Sequence, residues 1–304
     1  EQGNLNEFIL YDYRLDIPLG KINLSVGKTR ETISIQRLSP MIHIPSQQER
    51  SSMADGLLPS RNVGIVVNSS ILHDRMTWAA GIFNDWYEKN RSFKENPTVV
   101  TGRITGLPFI SEDQSNLLHV AASGRYSNAA GGIRYQATTE IFRGPISVDT
   151  DQIDDAGSTF HYGLELAFRS GPLTLISEYI HTKVRSVTNN DPGFKGYYLV
   201  VSYVLTGEMR TYNKRSGVFS RTHVAKDLAK GGWGSWEVYG RWSNIDLSDQ
   251  QIDGGIMNTL SLGVSWWPFD LVQVSVSYRY ATLDRFGQNG YNYGLVSRLA
   301  FTLE

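Results

Sequence analysis

The sequence predicts an all-β chain, a transmembrane antiparallel up-and-down β-barrel of about fourteen to eighteen strands with one long segment folded inward. Three observations lead there. Hydrophobicity alternates with period 2 over long stretches, aromatic residues gather at strand ends, and tight turns trade with long polar segments.

The alternation is clearest at 261–284. Leu262, Val264 and Trp266 face one way, and Ser261, Gly263 and Ser265 the other. Beyond Pro268-Phe269-Asp270 the pattern resumes, with Val272, Val274, Val276, Tyr278 and Tyr280 against Gln273, Ser275, Ser277 and Arg279. Strands of soluble sandwiches average about five or six residues, and these run to about twelve. A tilted strand of about ten residues, at roughly 3.3 Å each, covers an apolar band of about 25 Å. Lipid therefore meets the Val/Leu/Tyr face and water meets the Ser/Gln/Arg face. A soluble sandwich or β-helix is the alternative. It has no need of Trp266, Trp267 and Phe269 at one strand end, nor of Trp233 and Trp236 at another, whereas aromatic girdles at two water–lipid boundaries do.

Taken in order, the alternating stretches begin with Ile9, Tyr11, Tyr13, Leu15 and Ile17, then Ile22, Leu24 and Val26. Others fall near 61–70, 75–84, 98–105, 116–126, 131–142, 158–170, 172–184, 195–205, 233–245, 256–267, 270–284 and 289–302. That gives about fourteen strands and no convincing helix. Tight turns are expected at Pro18-Leu19-Gly20, His73-Asp74, Gly171-Pro172 and Pro268-Phe269-Asp270, on one rim. Long segments at 29–60, 85–97, 143–157, 185–194, 206–232 and 246–255 are expected on the other. The turns at 73–74 and 171–172 then require an even number of crossings between them. Either an extra strand around 140–150 or an in-folded segment at 143–157 supplies the parity. The chain, 1–304, reads as a single barrel domain.

Composition sets outer limits. The formal net charge is −1 and the pI about 6.7, which indicates no general attraction to nucleic acid. Mean hydropathy is −0.28 and no long apolar run occurs, so a transmembrane helix is excluded. No signal peptide precedes Glu1, which fits a mature exported protein or a cytosolic one. Cysteine is absent, so thiolate metal sites are unavailable, while 16 Tyr, 7 Trp and 29 Gly favour a β protein at an amphipathic boundary.

Several ordered motifs resemble the phosphate-selective porin O/P family. SPMIHIPSQQERSSMADGLLPSRNVGIVV carries Glu49-Arg50 and then Pro59, Arg61 and Gly64. MTWAAGIFNDWY follows it. LTGEMRTYNKRSGVF (205–219) and GGWGSWEVYGRWSNIDLSD (231–249) resemble the family's late motifs. The resemblance implies a homotrimeric barrel of about sixteen strands in the outer membrane of a Gram-negative bacterium. It further implies in-folded loops that narrow the channel and basic residues that draw small anions such as phosphate. Outer-membrane lipid would be its surroundings, and no nucleic acid a partner.

Strand phase places Arg14, Lys21, Arg103, Arg125, Arg134, Arg169, Arg241, Arg279 and Arg298 toward the lumen, against Asp12, Asp16, Glu165, Glu178 and Glu237. An excess of fixed positive charge in a narrow, low-dielectric channel concentrates anions, and the planar fork of arginine suits phosphate. The competing reading is that these pairs neutralise one another across strands. Segment 29–60 is too long for a hairpin turn and is the candidate constriction. It brings Arg30, Arg37 and Arg50, with Arg61 at its end, against Glu31, Glu49 and Asp55. By the resemblance Arg50 and Arg61 lie at or near the eyelet, with Arg37 next. If Glu49 pairs with one of them, the loop is merely anchored. Lysine is not conspicuous in the chain, so a general, weakly selective diffusion porin is equally compatible with the sequence.

Enzyme signatures are missing. Gly27-Lys28-Thr29 resembles the end of a P-loop, but Ile22 stands where the motif needs glycine. HExxH and GxSxG do not occur. His119 and His161 read as solvated lumen residues, and no catalytic residue, cofactor or metal is expected. A non-conducting structural or adhesive barrel is the third class, with Lys214, Arg215, Arg221, Lys226 and Lys230 making segment 206–232 a partner-binding loop.

Overall fold

The computed structural model describes residues 11–40, 48–84, 96–129, 131–141 and 144–302. Ile9, Leu10, His43 and most of segment 85–97 lie outside them. The alternating stretches become strands: β1 (Tyr13–Leu19), β2 (Ile22–Thr29), β3 (Asn62–Ile71), β4 (Met76–Phe83), β5 (Val99–Ile110), β6 (Asn116–Asn128), β7 (Gln136–Thr138), β8 (Ile146–Asp149), β9 (Ser158–Ser170), β10 (Leu173–Arg185) and β11 (Gly193–Val204). After them come β12 (Arg210–Asn213), β13 (Val218–Thr222), β14 (Ser235–Asp249), β15 (Ile252–Phe269), β16 (Val272–Arg285) and β17 (Gln288–Phe301). Thirteen of these form one sheet in the order β1-β2-β3-β4-β5-β6-β9-β10-β11-β14-β15-β16-β17, every neighbour antiparallel. Among the described residues β1 and β17 are the open edges. Because the count between them is odd, both run in the same direction.

The main sheet is that of a transmembrane barrel. On β16 Val272 to Tyr280 point outward and Gln273, Ser275, Ser277 and Arg279 are buried inward, as the alternation predicts. Aromatics mark two levels. At the rim of tight turns Trp236 stacks on Trp266 with centroids 5.4 Å apart, and both indoles donate to the Trp233 carbonyl, at 3.1 and 2.8 Å. At the opposite rim Tyr280, Tyr291 and Tyr293 stack on the outer surface. Amphipathic rings at these two depths match the two water–lipid boundaries. Gly27-Lys28-Thr29 falls inside β2, so it is sheet and not a phosphate-binding turn.

Three expectations need correction. Stretch 131–142 is not a spanning strand. It supplies only β7, which pairs with β8 as a separate ribbon between β6 and β9, and this in-folded segment restores the parity of turns 73–74 and 171–172. Segment 206–232 lies on the tight-turn rim, because β11 runs toward it and β14 away from it. It forms the second ribbon, β12–β13. Segment 246–255 is no long loop, since β14 and β15 extend through it to a turn at 250–251.

The inner wall is not uniformly polar. Ile176, Ile180 and Val184 on β10, and Phe194, Tyr198 and Val200 on β11, are buried inward. They meet α1 (Ile35–Leu38) and α2 (Ser52–Leu57), two short helices inside segment 29–60 capped by the Ser34 and Ser51 hydroxyls. Met53 of α2 sits on Gly196, whose added Cβ would stand 2.7 Å from the Met53 Cγ. Met53, Leu57, Val148 and Ile245 join one apolar cluster. The long segment therefore folds inward because it has a dry seat to bury against, the ordinary hydrophobic driving force applied inside a barrel.

Candidate functional site: the narrowed lumen

The two in-folded ribbons and segment 29–60 fill the lumen along β6–β16, touch β4 and β5 through Gly217 and Thr32, and leave open space beside β1–β5. There a cavity of about 600 Å³ is lined by β1–β5 residues, by Arg30 and Leu38 of the long segment, and by Asn213 to Ser220 of the β12–β13 ribbon. Its charged lining is Arg14, Arg30, Arg103 and Arg215 against Asp16. Arg14 is spent on Asp16 at 3.0 Å, and Arg103 on Glu165. Among the described residues Arg30 and Arg215 form no ion pair, and they carry the cavity's positive charge.

The four bases predicted for the constriction do come together, each differently held. Arg30 donates to the Leu38 carbonyl at 2.7 Å. Arg37, 6% exposed, bonds the Ala54 and Leu58 carbonyls and Asp55, so it staples α1 to α2. Arg50, 7% exposed, donates to the Gln36 carbonyl at 3.2 Å. Arg61 forks onto Asp12 with two 2.9 Å bonds and lies over the Tyr11 ring. Burial, reinforced by the other guanidinium groups, pulls Arg30 and Arg50 down to about 10. Burial also pushes the Glu49 carboxyl up to about 7 against the pull of Arg279, Arg298 and Arg241. Glu49 thus faces the strand arginines rather than pairing with Arg50 or Arg61.

The wall arginines divide three ways. Arg103 is clamped by Glu165 two strands away at 2.8 and 2.6 Å, Arg125 by Glu31 of the long segment at 2.6 Å, and Arg241 by Glu140 at 2.5 Å. Arg169 and Arg298 donate to the carbonyls of Arg210 and Gln48. Among the described residues Arg279 is buried without a hydrogen-bond partner. Two predicted wall residues stand elsewhere. Lys21 is exposed in the β1–β2 turn, and Arg134 sits beside the β7–β8 ribbon, bonded to Asp149. Cross-strand neutralisation by direct neighbours is not the rule here. Glu31 and Glu140 come from the in-folded segments, so their ion pairs fix a loop to the wall, whereas Arg103–Glu165 ties β5 to β9.

His119 and His161 face inward but are packed rather than solvated. His119 contacts Tyr212 Oη at 2.7 Å and Glu165 at 3.2 Å, tying the β12–β13 ribbon to the wall. Sequence reasoning missed Glu140. It adopts φ +61° in the turn after β7, and its carboxylate accepts from the Ser52 amide, Arg241 and Ser243. It lies near the end of stretch 131–142, whose alternation reads as a spanning strand, so the turn that carries it left no signal of its own. Gln48, which bonds Ser275 and Ser277, was hidden in the same way inside a long polar segment. Among the described residues no group of three metal-capable side chains gathers, and no helix is long and apolar enough to cross a membrane.

The sequence pattern of the phosphate-selective porin O and P family matches residues 3–299. An uncharacterized protein of Caulobacter vibrioides is 26% identical over 244 residues, covering 76% of this chain and 48% of its own length. Porin O of Pseudomonas aeruginosa is 24% identical, covering 92% of this chain and 70% of its own length. This chain thus spans about half of one relative and somewhat over two thirds of the other. In fold it resembles the outer-membrane expressed OmpT of Vibrio cholerae, with a TM-score of 0.57 at 9% identity over 96% of this chain and 81% of that one.

Proposed function

The chain belongs to the phosphate-selective porin O and P family of the outer membrane, and on that premise we propose that it forms a passive, anion-preferring diffusion channel. The observation that carries the reading is the cavity along β1–β5, where, among the described residues, Arg30 and Arg215 stand without ion-pair partners and the one lining acid, Asp16, is already engaged by Arg14. Fixed positive charge beside low-dielectric walls raises the local concentration of anions and repels cations. The path needs no bond-making group, and the reading assigns the chain no reaction. Small anions, phosphate among them, are the proposed cargo, and a homotrimer in a Gram-negative outer membrane the proposed assembly.

The test is a reversal-potential measurement in planar bilayers across a potassium chloride gradient, then across a phosphate gradient. A shift toward the anion potential is expected. A potential near zero would leave a weakly selective diffusion porin, and no conductance at all would leave a structural barrel. Light scattering of the detergent complex tests the trimer.

A further inference from the structure

The lipid-facing wall is hollowed where β4, β5 and β6 approach the tight-turn rim. A depression of about 580 Å³ starts at the β3–β4 turn and follows the outer faces of these strands. Register accounts for its shape. Met76, Gly106 and Val120 share one rung, and Trp78, Ile104 and Ala122 share the outward rung next to it. On β9 the same two rungs carry Leu166 and Leu164, both more than half exposed, so the wall steps up beside the hollow. Toward the rim the β5–β6 ladder shifts register between Gly106 and Phe109, where Pro108 has no N–H to donate.

The chain itself does not demand glycine at 106. Its φ is not positive, and an added Cβ would meet only Val120 Cγ2, at an ordinary 3.8 Å. The missing side chain therefore makes room on the lipid side. The hollow has one charged lining residue, Arg75, which is exposed at the turn. Among the described residues its side chain makes no hydrogen bond or ion pair. Acids of the two flanking turns are engaged close to home, Asp74 by the Ser70 hydroxyl and Asp113 by that of Ser111. Arg75 thus stands at the tight-turn rim, the level of the Trp236–Trp266 girdle and of lipid headgroups. From Arg75 to the Trp78 rung the strand advances three residues, about 10 Å at roughly 3.3 Å each, into acyl depth.

We propose that this hollow seats one anionic phospholipid of the periplasmic leaflet, with its phosphodiester on the Arg75 guanidinium and the upper part of an acyl chain over Gly106 and Ala122. Short turns mark the periplasmic side of such barrels, which fixes the leaflet. The planar guanidinium fork matches two phosphodiester oxygens, at a depth where a basic residue attracts anionic lipid. A zwitterionic headgroup sets its own ammonium against its phosphate and offers Arg75 less net charge, so the anionic head is preferred. Chain methylenes against Leu72, Ile104 and Val120 supply the dispersion contacts that an empty hollow would forfeit. The site is on the outside of the wall and takes no part in the aqueous path along β1–β5.

Native mass spectrometry of the detergent-solubilised protein, titrated with phosphatidylglycerol or phosphatidylethanolamine, reads the site whether or not the protein conducts. One phosphatidylglycerol retained per chain is expected, bound about fivefold more tightly than phosphatidylethanolamine. Arg75→Gln should erase that preference and leave the chain contacts. Gly106→Leu and, independently, Ala122→Leu should fill the groove and weaken both lipids about tenfold or more. Resistance of the folded barrel to unheated detergent electrophoresis checks each variant, and Ala122→Leu decides the question if Gly106→Leu does not fold. No retained phospholipid, an unchanged preference in Arg75→Gln, or unchanged affinity in the filled variants would overturn the site. Dissociation of an oligomer by the filling substitutions, with lipid still held, would give the hollow to a second copy of the chain and overturn it too.

Discussion

The Arg103 guanidinium holds Glu165 through two parallel bonds of 2.8 and 2.6 Å across an intervening strand, and with its remaining donors it grips the Ser216 and Gly217 carbonyls of the β12–β13 ribbon. One side chain therefore joins β5, β9 and a ribbon entering from the tight-turn rim. Both partners are fully enclosed, with 3% and 1% side-chain exposure.

Arg103→Gln should therefore act on stability and on the channel together. Removing one member of a buried pair strands the other charge, at a cost of about 3–5 kcal/mol. The melting temperature in detergent is expected to fall, and the freed ribbon should admit protease cleavage near Arg215. A variant with an unchanged melting point and an intact ribbon would contradict this anchoring role.

Charge reversal separates the bases that line the open cavity from those that hold loops. Arg30→Glu and Arg215→Glu should each move the chloride reversal potential toward zero, because these two arginines line the cavity and have no ion-pair partner among the described residues. Arg61→Glu, already matched by Asp12, should change selectivity less. Arg50→Glu should chiefly lower stability, since its side chain is enclosed beside the Gln36 carbonyl. Equal effects of all four on the reversal potential would mean that local pairing does not govern the path.

Glu49 provides a pH dependence. Its carboxyl is raised by burial from an ordinary 4.5 to about 7, so the folded state binds a proton more tightly than the unfolded chain does. The associated stability is fully present below about 4.5 and is lost as pH rises through about 7. Over the upper part of that range a negative charge appears near Arg279, Arg298 and Arg241, and anion preference should decline. Glu49→Gln should flatten both the selectivity and the stability profile between pH 5 and 8. A wild-type profile already flat there would remove Glu49 from the account.

Gly27 tests the sheet itself. It sits at φ +131°, and a Cβ there would stand 2.2 Å from the Tyr13 carbonyl oxygen on β1. Gly27→Ala should cost about 1–3 kcal/mol of backbone strain, seen as a lower melting temperature with little change in ion selectivity. An unaltered melting point would show that β1 yields freely at this position.

The outer surface was legible because its rule is simple. Lipid demands an apolar residue at every second position, so Val272 to Tyr280 declare their face without reference to anything else in the chain. The interior obeys no such period. Arg134 and β7 carry alternation-like residues yet sit in a ribbon, because a three-residue strand is shorter than any window in which period 2 can be distinguished. Helices α1 and α2 are one turn or little more and show no helical repeat. Of the four bases expected at the constriction, Arg50, Arg61 and Arg37 were named through the family resemblance and Arg30 through its place in segment 29–60. Which of them was spent on Asp12, Asp55 or a carbonyl depended on contacts between residues far apart in sequence, and no local pattern encodes those. The lumen histidines were misjudged for the same reason, as Tyr212 reaches His119 only once the ribbon folds back.

Glu140 binds the amide at the head of α2 and the Arg241 wall with the same carboxylate. Segment 29–60 and the β7–β8 ribbon are thereby latched to one post, and neither can swing outward while the other stays. Any rearrangement of the throat must be a concerted step, so electrical recordings should reveal a single open amplitude, without sublevels, and Glu140→Gln should split it into several.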